Sequence, residues 1–175
     1  SFPTLRSSDL IADNMENSDG RPEGESFQQD GRQGEYEAEF FNVVGTKFFQ
    51  TLEIPMIVGR SFGAQDTGTS AKVAIINQAL AQKRFPGTDP IGKRFRADRD
   101  PASPWIEIVG ICANTHYASL LKEPPAQFFL PYVQQPHVGG MVYEVRTGMS
   151  SAALAPVLRQ VVQSVDRELP MIDLR

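Results

Sequence analysis

Gly87, Gly92 and Lys93 stand at the spacing G-x-x-x-x-G-K, the one stretch of this 175-residue chain with the form of a phosphate-binding loop. Such a loop needs consecutive backbone N–H groups around a phosphate, a lysine that reaches it, and a Ser or Thr hydroxyl to hold magnesium. Here the residue after Lys93 is Arg94, which cannot ligate a cation. Pro90 removes an N–H from inside the loop, and Asp89 sets a negative charge where phosphate would sit. The context is also reversed. A phosphate loop follows a strand and opens a helix, whereas this stretch follows a predicted helix and leads into a predicted strand. The structural reading is a helix-to-strand turn shaped by Pro86, Gly87 and Pro90, with Lys93 and Arg94 at a strand edge.

Other chemistry-bearing residues stand without partners. His116 and His137 are in neither an H-E-x-x-H pattern nor at ligand spacing from a carboxylate, and are read as surface loop residues. There is no G-x-S-x-G; a Ser-His-Asp set assembles in space, and nothing in the sequence selects one. Nothing selects a glycosidase carboxylate pair either. Glu35, Glu37 and Glu39 alternate with Tyr36, Ala38 and Phe40. The glutamates could form a cation site, but a solvated acidic strand face with the apolar residues turned inward is the favoured reading. Cys112 is the lone cysteine, which excludes an intrachain disulfide and a cysteine-rich metal site; it is read as a small buried hydrophobe. Phe48, Phe49, Phe128, Phe129 and Tyr132 are either core or a partner surface, and their spacing favours core. No catalytic, cofactor-binding or metal-ligating residue is assigned.

Composition narrows the field. The chain is 41% hydrophobic, enough for a core, and carries a net charge of −4, which gives no electrostatic footprint for nucleic acid. The charge is uneven: residues 1–39 carry a net −7 and residues 40–175 a net +3. No apolar run approaches the ~18 residues of a membrane-spanning helix, and no signal peptide is visible.

These residues must be positioned by short alternating elements. Residues 1–10, SFPTLRSSDL, resemble either translated adaptor sequence or an ordinary frayed terminus and are given no function; a chain lacking them is expected to melt at the same temperature. Residues 11–25 are polar and read as loop. Strands are predicted at Ser26–Gln29, with an Asp30-Gly31 turn, and at Glu35–Phe41. Thr46 is predicted to cap a short helix from Lys47 to Leu52, followed by a strand at Ile54–Val58 and a loop at Gly63–Ser70. A buried strand at Lys72–Ile76 leads to a helix capped by Asn77 and ending near Arg84. Ile91–Ala97 returns as a strand, and Trp105–Ala113, apolar on both faces, is the most central one. Leu120-Leu121 anchors an irregular stretch, and further strands lie at Gln127–Pro131 and Met141–Thr147. Ser150 or Ser151 caps a helix with the apolar stripe Leu154, Val157, Leu158, Val161 and Val165, in which Pro156 predicts a kink or a late start. Met171–Leu174 completes a β-α-β unit.

The ordered set of these pieces resembles a known family. The runs FFNVVGTKFFQTLEIPMIVGRSF, VAIINQALAQKRFPGTDPIGKRF, WIEIVGI, PPAQFFLPY and VYEVRT, then a helix leading to VDRELPMIDLR, are similar in order and spacing to the extracytoplasmic core domain of MacB/FtsX-type ABC transporter permeases. The resemblance covers residues 24–175 and leaves 1–23 as a disordered or artefactual tail. It implies an α+β fold in two lobes: a β-α-β porter-like lobe from residues 24–44 and 139–175, and an inserted mixed α/β lobe at 45–138. It implies a non-catalytic, extracytoplasmic module of a bacterial inner-membrane permease, without cofactor, coupled through transmembrane segments to a cytoplasmic ATPase for efflux or mechanotransmission. Implied partners are a second permease subunit in a homodimer or heterodimer and, in some members, a periplasmic adaptor or lipoprotein carrier. No binding residue carries over. The family's opening strand and helix have no counterpart in residues 1–25, so the chain reads as a fragment with an unpaired sheet edge and a partly bare helix stripe, prone to aggregation. The alternative is a stand-alone soluble ligand-binding or adaptor protein; membrane-spanning runs beyond Arg175 would separate the two.

Overall fold

The computed structural model describes residues 10–12, 25–31, 37–115, 124–135, 142–143 and 146–165. In chain order the elements are β1 (Leu10–Ala12), β2 (Glu25–Gln29), β3 (Glu37–Val44), α1 (Phe48–Thr51), β4 (Met56–Gly59), β5 (Val73–Asn77), α2 (Gln78–Arg84), β6 (Arg94–Arg96), β7 (Ile106–Cys112), β8 (Gln127–Pro131), a 3-10 turn (Tyr132–Gln134), β9 (Val142–Tyr143) and α3 (Ser151–Val165). This is a mixed α/β fold. Ser8–Glu144 form one compact unit; Ser1–Ser7 with Val145–Arg175 form another.

The strands of the larger unit make one curled sheet in the order β2-β6-β7-β5-β8-β3-β1-β9. β3 divides its length between two neighbours. Its start pairs antiparallel with β2, Glu25 opposite Glu39, while Phe40–Val44 run parallel to β8. The path from β2 through β6, β7, β5 and β8 to β3 therefore returns to β2, and six strands close into a ring. β2 and β3, which the resemblance groups with the porter-like lobe, share this sheet with strands of the inserted lobe.

Side-chain alternation sorts the apolar residues onto the sheet's two faces. Ala74 and Ile76 of β5 point one way, with Val43, Phe95, Ile108, Phe128 and Leu130. Because β3, β5, β6, β7 and β8 all contribute to this cluster, it fills the inside of the ring, and α2 adds Leu80 just before Phe85. Val73 and Ile75 point the other way, into a second cluster with Val44, Val109, Cys112 and Phe129, covered by Phe48 and Phe49 of α1 and by Phe62. Phe49 meets Phe129 edge-on with ring centroids 5.1 Å apart, a favourable aromatic geometry. Phe48, Phe49, Phe128 and Phe129 are thus core, and Tyr132 packs half-buried against it.

Asn77 caps α2 as its position suggests. Its Oδ1 accepts from the Leu80 amide at 2.9 Å and also from Gln127 at 3.0 Å, and its Nδ2 donates to Pro125 at 2.7 Å. One side chain therefore caps a helix and starts the neighbouring strand.

Several local expectations are corrected. Glu39 is 2% exposed and Phe40 is 38% exposed, the reverse of the predicted facing. The reason is a pair of cations on α2: Arg84 Nε donates to Glu39 Oε1 at 2.7 Å, and Lys83 Nζ lies 2.9 Å from the same oxygen. Ile11 and Ala12 are strand rather than loop, paired with Val44 and Val43. Lys47, not Thr46, is the N-cap of α1, and it makes no side-chain capping bond. The strand predicted from Ile91 begins only at Arg94, because Pro90 to Lys93 form a turn. α3 starts at Ser151 and remains helical through Pro156, with no late start. Leu154, Val157, Leu158 and Val161 of its stripe are half-buried. The expectations for Glu35, Tyr36, Leu120-Leu121 and Met171–Leu174 lie outside the described residues.

Candidate functional site

The stretch that could do nucleotide chemistry is a turn in which four amides are already engaged. Beyond α2, the Thr88 amide donates to Phe85 O at 3.1 Å. The Ile91 amide donates to Asp89 Oδ1 at 2.9 Å. The Gly92 amide donates to Ile108 O at 2.9 Å, and the Lys93 amide to Pro90 O at 3.0 Å. A phosphate cradle needs those N–H groups converging on an empty space; here each is turned onto the protein's own oxygen. Gly87 and Gly92 adopt φ of +70° and +77°, as left-handed turn positions require. Arg94 pairs with Asp30 at 2.7 Å, and the Arg96 guanidinium lies 4.1 Å from the centre of the Trp105 ring. The stretch joins α2 to β6 and ties β6 to β7.

The two carboxylates buried among the described residues are likewise committed. Glu39 is held by Lys83 and Arg84. Asp66, 3% exposed, accepts two hydrogen bonds from Arg60 at 2.7 and 2.8 Å and one from the Gly63 amide at 2.9 Å. Burial raises the Asp66 carboxyl, but the Arg60 hydrogen bonds, the Gly63 amide and the guanidinium charge together hold it below its ordinary value. Among the described residues, no three His, Cys, Asp or Glu side chains converge as a metal site. Burial pushes the Cys112 thiol up to about 12, which makes it inert at neutral pH. His116 and His137 lie outside the described residues.

Gln134, buried, organises the remaining loop. Its Oε1 accepts from the Val73 amide at 3.0 Å, and its Nε2 donates to Thr67 O, Ser70 Oγ and Ala71 O. Together with the Asp66–Arg60 pair, it fixes residues 60–72 against the sheet. Between this loop and α1 lies a cleft of about 520 Å³, floored by Phe49, Ile54, Met56 and Phe62, with Lys47 at its rim. Sequence reasoning did not find it, because the residues that line it are predicted as separate helix, strand and loop pieces, and no motif links them.

A family model for the MacB-like periplasmic core domain matches residues 6–161. The chain belongs to that family. The structural neighbours agree with this assignment at the level of fold. The periplasmic region of MacB from Actinobacillus actinomycetemcomitans superposes with a TM-score of 0.60 at 13% identity, covering 81% of this chain and 63% of that one. A domain assigned to a permease protein of Porphyromonas gingivalis gives a TM-score of 0.58 at 18% identity, covering 85% and 62%. In sequence, the chain is 24% identical over 129 residues to the probable syringafactin export ATP-binding/permease protein SyfD of Pseudomonas syringae pv. tomato. That alignment takes in 69% of this chain and 19% of SyfD, so the chain spans about a fifth of that relative's length.

In this MacB-like domain, the glycines of the runs IVGRSF and WIEIVGI meet where β4 crosses β7. Gly59 stands opposite Gly110 in the register, at a φ of +77°. A Cβ on Gly59 would overlap Val109 O, and one on Gly110 would overlap Arg60 O and the Met56 methyl. The run VAIINQAL supplies the β5–α2 corner with its Asn77 cap, and FPGTDPIGKRF the turn described above. Each run thus marks a joint of the scaffold. Among the described residues, no helix is long and apolar enough to cross a membrane.

Proposed function

We propose that this domain is a moving part of an ABC export permease rather than an enzyme. Its place is on the periplasmic side of a bacterial inner membrane, where it responds to ATP binding and hydrolysis in a cytoplasmic ATPase. The observation that carries this reading is the family match over residues 6–161. The geometry supports it: the groups with the form of a nucleotide site, and the buried Glu39 and Asp66, serve turns and ties instead of converging on a substrate. Mechanical coupling requires a body that moves without deforming, and a closed ring with two packed faces suits that role. In this proposal the permease works as a dimer, and an adaptor or carrier protein on the periplasmic side receives or delivers cargo. The domain's effect is to favour one cargo-bound arrangement over another as the ATPase cycles.

The test uses the complete permease assembled with its ATPase in nanodiscs. A spin label at Ala102→Cys puts one reporter on the ring-bearing unit of each permease subunit in the dimer, and the buried Cys112 does not compete for the label. The distance distribution is expected to shift between the nucleotide-free and ATP-bound states. An unchanged distribution in a transporter that still hydrolyses ATP and exports cargo would refute the coupling role.

A further inference from the structure

We propose that the cleft between α1 and the 60–66 loop is a binding site for a single-chain anionic amphiphile, a carboxylate carried on an apolar tail. The site lies wholly within the larger compact unit, and the inference stands independently of the transport reading. Three observations carry it. The volume, about 520 Å³, falls in the range of small-molecule pockets, roughly 300–1,000 Å³. The floor is apolar and rigid: Phe49 and Phe62 are anchored in the outer core cluster, and Ile54 and Met56 pack against that cluster while still facing the cleft. The rim is polar and one-signed. Among the described residues Lys47 is the sole charged one in the lining, and Thr46, Gln50 and Ser61 add two hydroxyls and an amide.

The rim groups are also available. The Lys47 side chain is exposed, and among the described residues its ammonium has no carboxylate within salt-bridge distance. The one carboxylate on the adjoining loop, Asp66, is consumed by Arg60 and the Gly63 amide. An apolar floor with an unneutralised ammonium at its mouth is complementary to a molecule that is greasy at one end and negative at the other. A neutral apolar ligand would leave Lys47 unused, and a compact inorganic anion would leave the floor bare. A bilayer surface fits poorly, because Phe49 and Phe62 are recessed rather than presented.

The experiment is a calorimetric titration of the 175-residue chain with sodium decanoate below its micelle threshold, and with decyl alcohol as the uncharged counterpart. Saturable one-site binding of decanoate is expected. Lys47→Gln should weaken decanoate roughly tenfold while leaving decyl alcohol unchanged. Lys47→Arg should keep decanoate within about twofold of the parent. Ile54→Ser should weaken both ligands, and Ile57→Ser, on β4 outside the cleft, should change neither. Absence of saturation would overturn the proposal. So would equal losses for acid and alcohol in Lys47→Gln, or binding seen only above the micelle threshold or only with phosphatidylglycerol vesicles.

Discussion

Removing the Glu39 carboxylate would take away the buried anion that Arg84 and Lys83 both hold. Breaking a buried pair from one side typically costs about 3–5 kcal/mol, so Glu39→Ala should lower the urea-unfolding free energy by that order. A change under about 1 kcal/mol would mean that the pair is solvated in practice. Asp66 makes a prediction in pH. Its folded-state titration lies below the ordinary carboxyl value of 3.8, so the unfolded chain binds its proton first as acid is added. The stabilisation is therefore complete above that ordinary value and is lost as pH falls through the lower, folded one. Thermal melts should show the parent's advantage over Asp66→Asn shrinking across that interval; an advantage that grows with acid would invert the assignment. At this scale the sequence was half legible. The alternation of Glu35–Phe41 is plain, but periodicity gives two faces without saying which turns inward. That was decided by Lys83 and Arg84, more than forty positions away in the chain, and no local pattern reports such a distant partner.

Among the elements, the β4–β7 crossing is the tightest joint. Gly110→Ala should push β4 off its partner, because the new methyl meets the backbone oxygen of Arg60 rather than a side chain that could swing away. A loss of about 2–4 kcal/mol is expected, with the Arg60 amide, bonded to Val109 O, exchanging faster in hydrogen-exchange measurements. An unaltered melt would show that the joint can relax. The elements themselves were largely legible. β5, β7 and β8 lie within a residue or two of their apolar runs, and the Asn77 cap stands where its side-chain chemistry puts it. The missed strand has a physical cause: Leu10–Ala12 is three residues long and exists because the edge of β3 receives it, and so short a stretch carries no periodicity of its own, whereas β6 was predicted with three residues too many at its start. The cleft was illegible for a related reason: its walls come from α1, β4 and a loop, and only the folded chain brings them together.

For the molecule as a whole, protection from exchange should follow position in the ring. β5 and β8 are buried along their full length and paired on both edges, so the amides of Ile75, Ile76, Phe128 and Phe129 should exchange only through global unfolding. β4 touches the sheet through β7 alone and exposes Ile57 and Val58, 49% and 46% accessible, so its amides should exchange through local opening. Equal protection in β4 and β5 would contradict this ranking. Strand order could not be read from the chain, because adjacency in this sheet does not follow adjacency in sequence: β2 lies beside β6, and β3 beside β8.

The return of the sheet onto itself at β2 and β3 also bears on how this domain can vary. In an open sheet, an edge strand can gain or lose a residue and simply overhang. In a closed ring, a slip at one strand has to be absorbed by both of its neighbours and so passes around the circuit, turning buried side chains outward as it goes. Length changes between relatives of this chain should therefore collect at the 98–105 hairpin tip and in the 60–72 loop, and the spacing inside β5, β7 and β8 should stay invariant. The ring acts as a parity check on the sequence, and an alignment of relatives with gaps inside those three strands would show that it does not.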